Sequence, residues 1–474
     1  MNQNTLTQQI LNKITPTPEE RQKVNTLSRT IEKKIQTTCQ AEGIKAIVRV
    51  EGSVAKDTWL SENPDIDIFI RLPTTIPLQN LKDISLRIAK KAAGNAKQIQ
   101  RYAQHPYLEI FVENYRIDIV PCYNTPPGKW QSATDRTPYH TDYIHTHLTQ
   151  KLPSEIRLLK KFMQGINVYG AEIKIGGFSG YLCELLVLHY GTFQEVINTF
   201  AAYNKRIIID PENHYNHTKE IEQLFTDPLI IIDPVDKTRN VASAVQPQKL
   251  YEFIAATRAY LKAPTQNFFY PPPTHAHTPQ TIKKKLTPQN STYLYITTNA
   301  IEAVPDILWG QLYRTKRALR SLLETHKFKV LRDTIWSNQT TLCIFIFELE
   351  QHKLPNTKKH IGPQLEKQAE CDTFLTKYTT TNTLHTGPYI ENGRWNVEIP
   401  NKYPTASTLL QEKLSDNGGK NAGTANLVAQ TIKQNFKIMT NTEIIKIYTE
   451  NPDFAVFFTE FLIGKPSWLV PQNI

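Results

Sequence analysis

The run Asp65-Ile66-Asp67-Ile68-Phe69-Ile70 constrains this chain more than any other stretch of its 474 residues. It is β-branched and aromatic, and reads as a strand. Residues two apart in a strand face the same way. Asp65 and Asp67 therefore project together, while Ile66, Ile68 and Ile70 point into a core. Two carboxylates side by side repel each other unless a cation lies between them. A hard divalent ion with oxygen ligands resolves the repulsion, and Mg²⁺ is the natural choice.

Asp118 has the same setting, with Ile117 and Ile119 pointing one way and the carboxylate the other. If its strand pairs beside the first, Asp65, Asp67 and Asp118 converge on a site for two metals ~3.5–4 Å apart. Such a pair activates an attacking hydroxyl and stabilises a leaving phosphate. Upstream, a short strand over 46–50 runs into Glu51-Gly52-Ser53. Gly52 lets backbone approach a phosphate, and the Ser53 hydroxyl with the following amides can hold one. Lys56 follows one helical turn on, placed to neutralise charge. A lone Asp-x-Asp is usually a solvated strand edge. Strand, Gly-Ser, Asp-x-Asp and a third Asp on a later strand form a far more specific combination.

The surrounding pattern divides the chain. Thr17-Pro18-Glu19-Glu20 starts a helix. Two runs, 107–112 and 115–120, form a hairpin through Glu113-Asn114. Residues 1–145 read as a small α/β head, and 146–262 as a mainly helical domain in which Ser179 caps a helix ended by Gly191. Residues 263–290, with Pro271-Pro272-Pro273, read as an extended linker. Within 291–474 the order strand, helix (306–324), strand, strand suggests a ferredoxin-like module. The fold class is thus α+β multidomain.

Composition narrows the function classes. No stretch approaches ~20 apolar residues, so no membrane span is expected. The polar N-terminus lacks the apolar core of a signal peptide, which reads as cytoplasmic. The five cysteines form no close pair, against a disulfide framework or structural zinc site. The net charge of +11 suits a polyanionic partner. Arg314, Arg317 and Arg320 on the 306–324 helix are candidate RNA contacts. A solvated basic face is the plainer reading of such a run.

The pattern of Gly-Ser, Asp-x-Asp and a distant third carboxylate resembles the nucleotidyltransferase superfamily, which includes DNA polymerase β and poly(A) polymerases. EGSVAKDTWLSENPDIDIFIRLP, RYAQHPYLEIFVENYRIDIVPCY, SATDRTPYH, EIRLLKKFMQGINVYGAEIKIGGFSGYLCELL and DPVDKTRNVA resemble segments of the archaeal class I CCA-adding enzymes (tRNA nucleotidyltransferases), as do NFFYPPP, GPQLE and PYIENGRW further on. The likeness runs in order from about residue 45 to about residue 400.

The resemblance implies a polymerase β-like catalytic head, a helical central domain and an RNA-binding C-terminal half. It implies template-independent addition and repair of the tRNA 3′-terminal CCA from CTP and ATP, with pyrophosphate released. Asp65, Asp67 and Asp118 would bind two Mg²⁺ ions, and Asp118 would favour deprotonation of the primer 3′-hydroxyl. Gly52, Ser53 and Lys56 would hold the triphosphate. His140, Lys160, Tyr169 and Arg239 match positions that contact the nucleotide. The tRNA acceptor stem and T arm are the expected partner surface, and a homodimer is compatible with the resemblance.

Two residues depart from the family pattern: Lys56 stands where Arg is usual, and Asp65 where Glu is frequent. The first keeps charge but loses a bidentate fork; the second shortens the reach of the carboxylate. Other readings are a related terminal transferase of the poly(A) polymerase or oligoadenylate synthase type, and an RNA-binding homologue without activity.

Overall fold

The computed structural model describes residues 3–61, 64–102, 106–287, 291–381 and 384–469. The chain divides into two compact units, one of Met1–Pro273 with Lys465–Ile474, the other of Thr274–Gly464. His105, two residues before the run 107–112, lies outside the described residues.

The first unit opens with α1 (Gln3–Ile14) and α2 (Pro18–Ala41). Thr17 and Glu20 cap α2 reciprocally, each side chain accepting from the other's amide. There follow β1 (Ile47–Glu51), α3 (Gly52–Ala55), β2 (Asp65–Leu72), α4 (Leu78–Ala93), β3 (Lys97–Tyr102), β4 (Pro106–Val112) and β5 (Tyr115–Tyr123). The sheet order is β1-β2-β5-β4-β3. Only β2 and β5 run parallel, which the crossover between them permits. Glu113 and Asn114 both have positive φ, 49° and 70°, as a tight hairpin turn between right-twisted strands requires.

Alternation then sorts the faces. Ile66, Ile68, Ile70, Leu108, Ile110, Ile117 and Ile119 are all buried with Val24, Ile31 and Ile35 of α2 and Leu81 and Ile88 of α4. The helices cover that face, and the acids occupy the other.

The chain continues through α5 (Thr137–His147), α6 (Leu152–Gly165), α7 (Gly180–Tyr190) and α8 (Phe193–Ala201). Ser179 caps α7 by accepting from the Leu182 amide. After β6 (Ile207–Ile209) and α9 (Thr218–Leu224) come β7 (Leu229–Asp233), β8 (Asp236–Asn240) and α10 (Pro247–Lys262). The sequence reading of this stretch as mainly helical missed the small sheet β6-β7-β8. A short continuous apolar run such as 229–232 has no period to separate a buried strand from a buried helix. Phe162, Phe178, Phe193, Phe200 and Phe253 fill the core beneath.

The second unit begins with α11 (Pro279–Leu286), within the stretch read from sequence as extended. Thr278 caps it and Pro279 occupies its first turn, so the proline there starts a helix rather than preventing one. Then come β9 (Thr292–Asn299), α12 (Pro305–Thr325), β10 (Val330–Ser337) and β11 (Leu342–Leu349). An insertion follows: β12 (Thr357–Gln364), α13 (Gln368–Thr379), β13 (Thr386–Glu391) and β14 (Arg394–Pro400), with its own sheet β12-β14-β13. α14 (Ala406–Ser415), α15 (Asn426–Gln434) and β15 (Phe436–Thr440) complete the main sheet, and α16 (Ile445–Glu450) and α17 (Pro452–Ile463) end the unit. The main sheet is antiparallel in the order β10-β11-β9-β15, the ferredoxin-like arrangement. Among the described residues no helix is long and apolar enough to cross a membrane.

Candidate active site in the first unit

Strand register assembles the site. Across β2 and β5, Asp67 is the direct partner of Asp118, and Asp65 of Arg116. Antiparallel pairing sets Glu51 of β1 opposite Asp67, and Glu109 of β4 opposite Asp118. Directly opposed residues share a face. Glu51, Asp67, Asp118 and Glu109 therefore form one row of carboxyls across four strands, with Asp65 beside it.

Charge crowding and burial shift these groups together. Burial, then Asp118 and Asp65, push the Asp67 carboxyl up to about 7. Burial raises Asp118 to about 6 despite Arg116, and Glu109 and Asp65 add to the rise. Burial brings Glu51 to about 6 and also raises Asp65. Oδ1 of Asp118 is buried with no hydrogen-bond partner. A set of hard oxygen donors that is costly to ionise, with a lone pair left unused, fits a divalent cation. Among the described residues no three His, Cys, Asp or Glu side chains are placed to hold a metal as they stand. The Arg116 guanidinium lies between Asp65 and Asp118, at 3.5 Å and 3.2 Å.

The shifts have a sign. A carboxyl raised in the folded state binds protons there that the unfolded chain, at ~3.9–4.3, has already lost. Stability of the metal-free protein should therefore fall as pH rises from about 4 through about 6 and 7, where these carboxyls ionise, and level off above that. Thermal melts in chelator across pH 5–8 check this; a rise over that window would contradict it.

Gly52 has φ +68°, and a Cβ built there would lie 2.0 Å from Asp67 Oδ2. The glycine thus serves both a left-handed backbone and the close approach of a carboxylate. Gly52→Ala is expected to cut the activity of this site at least ~10²-fold, because even a ~1 Å misplacement of a reacting group is that costly. Single-turnover assays would show it. Ser53 follows in α3, half-buried, its carbonyl accepting from the Thr58 amide at 2.9 Å.

Behind the row lies a buried ionic cluster. Glu184 on α7 accepts from Lys56 Nζ at 2.5 Å, Lys160 Nζ at 3.0 Å and Thr58 Oγ1 at 2.6 Å. Burial alone would raise the Glu184 carboxyl, but Lys160 and Lys56 outweigh it and hold it at about 2. Burial lowers Lys160 in turn, with Glu184 opposing. Tyr169 packs beside Lys160 against Gly180, where an added Cβ would stand 3.0 Å from the tyrosine hydroxyl.

A third cluster centres on Asp233, at the end of β7. Its carboxylate receives His140 Nε2 at 2.9 Å, Arg239 Nη1 at 2.7 Å and Tyr181 OH at 3.3 Å. The His140 and Tyr181 rings stack at 4.0 Å. Burial would raise Asp233, but the hydrogen bond from His140 and the charge and hydrogen bond of Arg239 hold it below the usual range. Burial lowers His140, which favours neutral imidazole. An ionised carboxylate only accepts, so Nε2 carries the proton. Lys56 Nζ sits over the Tyr181 ring at 5.8 Å, linking the second cluster to the third.

The sequence-expected residues of the first unit thus group as carboxylates (Asp65, Asp67, Asp118) beside Gly52, a lysine pair (Lys56, Lys160) near Tyr169, and His140 with Arg239. Arg239 stands on β8 and pairs with Asp233, while Asp236 pairs with Arg136 at 2.7 Å. In the second unit, Arg314 and Arg317 of α12 are exposed, and Arg320 is engaged with Asp333 and Glu324.

Glu51, Glu109, Arg116, Glu184, Tyr181 and Asp233 escaped the sequence reading of the site. Two had a signal. Glu184 is a lone acid inside the apolar run YLCELL, and Asp233 ends the apolar run LIII. A charge so placed is buried and needs a partner.

Residues 31–140 match the family model of the nucleotidyltransferase domain, 154–270 that of the tRNA nucleotidyltransferase second domain, and 290–441 that of the CCA-adding enzyme C-terminal domain. The chain is 35 % identical over 457 residues to the CCA-adding enzyme of Methanosarcina barkeri, covering 96 % of this chain and 97 % of that one. It is 34 % identical over 411 residues to that of Methanothermobacter thermautotrophicus, 86 % and 87 % covered. The relative from Methanopyrus kandleri is 30 % identical with 97 % and 96 % covered. A carboxylate row set beside a Gly-Ser turn and lysine and histidine clusters therefore comes with likeness along nearly the whole chain, and the chain belongs to the CCA-adding enzyme family.

Proposed function

We propose that this protein rebuilds the 3′-terminal CCA of tRNA from CTP and ATP without a template, releasing pyrophosphate at each addition. The observation that carries the chemistry is the Asp67–Asp118 register on parallel strands, with Asp65 on the same face. Asp65, Asp67 and Asp118 would hold two Mg²⁺ ions. Such ions, when bound, polarise the α-phosphate and lower the proton affinity of the attacking hydroxyl.

The chain's own groups do the rest. Asp118 sets the primer 3′-hydroxyl and favours loss of its proton. Gly52 lets the Asp67 carboxylate close against the turn, and the Ser53 hydroxyl donates to a phosphate beside it. The cluster of Lys56, Lys160 and Glu184 carries two ammoniums against one carboxylate, leaving net positive charge beneath the triphosphate. Tyr169 borders it. Arg239, fixed by Asp233, presents its remaining N–H donors to a base edge, and His140, its Nε2–H held by the same carboxylate, presents Nδ1 as an acceptor.

In the same reading, residues 1–145 form the catalytic head and 146–262 the nucleotide-recognition domain. The RNA-binding body is the second unit, Thr274–Gly464, which takes in part of the 263–290 stretch, and in it Arg314, Arg317 and Arg320 meet the acceptor stem and T arm. A cytoplasmic homodimer belongs to this reading as well.

The test uses purified protein, tRNA lacking its CCA, CTP and ATP, read on a sequencing gel. Three added nucleotides followed by arrest are expected. A long A tract would mark a poly(A)-type transferase, and no addition with intact tRNA binding would mark an inactive homologue.

A further inference from the structure

Arg116 precedes Asp118 by two residues on β5 and is the direct partner of Asp65 across the parallel pairing. Its Nε stands 3.5 Å from Asp65 Oδ1 and 3.9 Å from Glu109 Oε2, and its Nη2 3.2 Å from Asp118 Oδ2. One guanidinium thus meets three carboxylates where negative charge is densest. The Arg116 side chain is 44 % exposed, so rotation about its own bonds can carry the charge into solvent without moving the strand. Arg101, on the same face, pairs with Glu109 alone among these acids, at 3.0 Å.

We infer that Arg116 is the resident counter-ion of the metal-free carboxylate site, and that a divalent cation enters by displacing its guanidinium. The inference rests on the assignment of Asp65, Asp67 and Asp118 as metal carboxylates. Its physical basis is competition. Arginine stays charged at every accessible pH, so only movement removes it. While it bridges Asp65 and Asp118, those oxygens cannot close round an ion. The apparent metal affinity is then the intrinsic affinity reduced by the fraction of time the guanidinium is in place. Arg116 is a positioning residue in this scheme: it keeps the row together when no ion is present and yields to one.

The test is Mn²⁺ binding to the full chain after chelator treatment, without nucleotide or tRNA, with free Mn²⁺ read by electron paramagnetic resonance. Arg116→Met keeps the aliphatic stem and removes the charge, and should lower the Mn²⁺ Kd about tenfold or more, given a unit charge within ~4–5 Å of a divalent ion. Arg116→Gln carries the same expectation if the first variant does not fold, and Arg116→Lys should fall between. Arg101→Met should shift the Kd less than about threefold, since that charge acts only from a distance. A merely structural role for Arg116 would weaken metal binding on its removal. Unchanged or weaker binding by both neutral variants, or an equal gain in Arg101→Met, would overturn the inference. Asp118→Asn separates the underlying reading: if it binds Mn²⁺ as the wild type does, the metal assignment itself fails.

Discussion

Asp67→Asn should reduce nucleotide addition by about 10³-fold or more while leaving tRNA affinity within about twofold, because the variant removes charge at the reacting centre and nothing from an RNA-contacting surface. Asp67 stands at the middle of the row, partnered by Glu51 on one side and Asp118 on the other, with Oδ2 against Gly52. The amide keeps that shape and removes the charge. The same variant should make the metal-free protein more stable at pH 8. In the wild type, ionising a carboxyl held at about 7 costs ~2–4 kcal/mol relative to the unfolded chain. Asparagine carries no such cost, so its melting curve should be flatter with pH between about 4 and 7. Primer-extension kinetics, filter binding and thermal melts in chelator test the three parts separately. Retained activity would remove Asp67 from the site, and a variant less stable than wild type at pH 8 would mean that the row is not crowded.

Glu184→Ala should cost about 3–5 kcal/mol of stability, because it leaves two buried ammoniums without their carboxylate. Glu184 is fully buried, and Lys56 and Lys160 are nearly so. The midpoint of thermal unfolding should drop by roughly 5–10 °C. The pH dependence identifies the cause. The wild-type carboxyl is held at about 2, so its contribution is complete above the unfolded value of ~4.3 and is lost as pH falls through about 2. In the variant Lys160, which burial already lowers, becomes the liability, and raising the pH, which neutralises it, should recover part of the loss. Calorimetry at pH 6 and pH 9 decides it. A midpoint that does not move would show the cluster to be hydrated. The variant should also bind nucleotide less well even where folded, since Lys56 links this cluster through the Tyr181 ring to His140 and Asp233.

Much of the site was legible one strand at a time. Asp65, Asp67 and Asp118 each sit among isoleucines whose alternation announces their face. The cap at Thr17, the hairpin at Glu113-Asn114 and the Ser179 cap are local chemistry, and they appear where the residues call for them. The small sheet β6-β7-β8 and helix α11 were not legible. The first is an apolar run without a period, and the second is a helix begun by a proline in a stretch otherwise rich in turn residues.

What the sequence determined by itself is therefore periodicity and chemistry: which side chains share a face, which helices start where, and that the acids on β2 and β5 stand clear of the core. Partnership was decided only in three dimensions. Asp67 meets Asp118 because β2 and β5 pair parallel in one particular register, and a slip of one residue would turn either carboxylate into the core. Glu184 meets Lys56 across 128 positions of chain, and Asp233 meets His140 across 93. No local pattern encodes such distances. They follow from the way the helices of 152–262 bury their apolar faces, which brings lone charges from separate helices and strands together because none could remain buried alone.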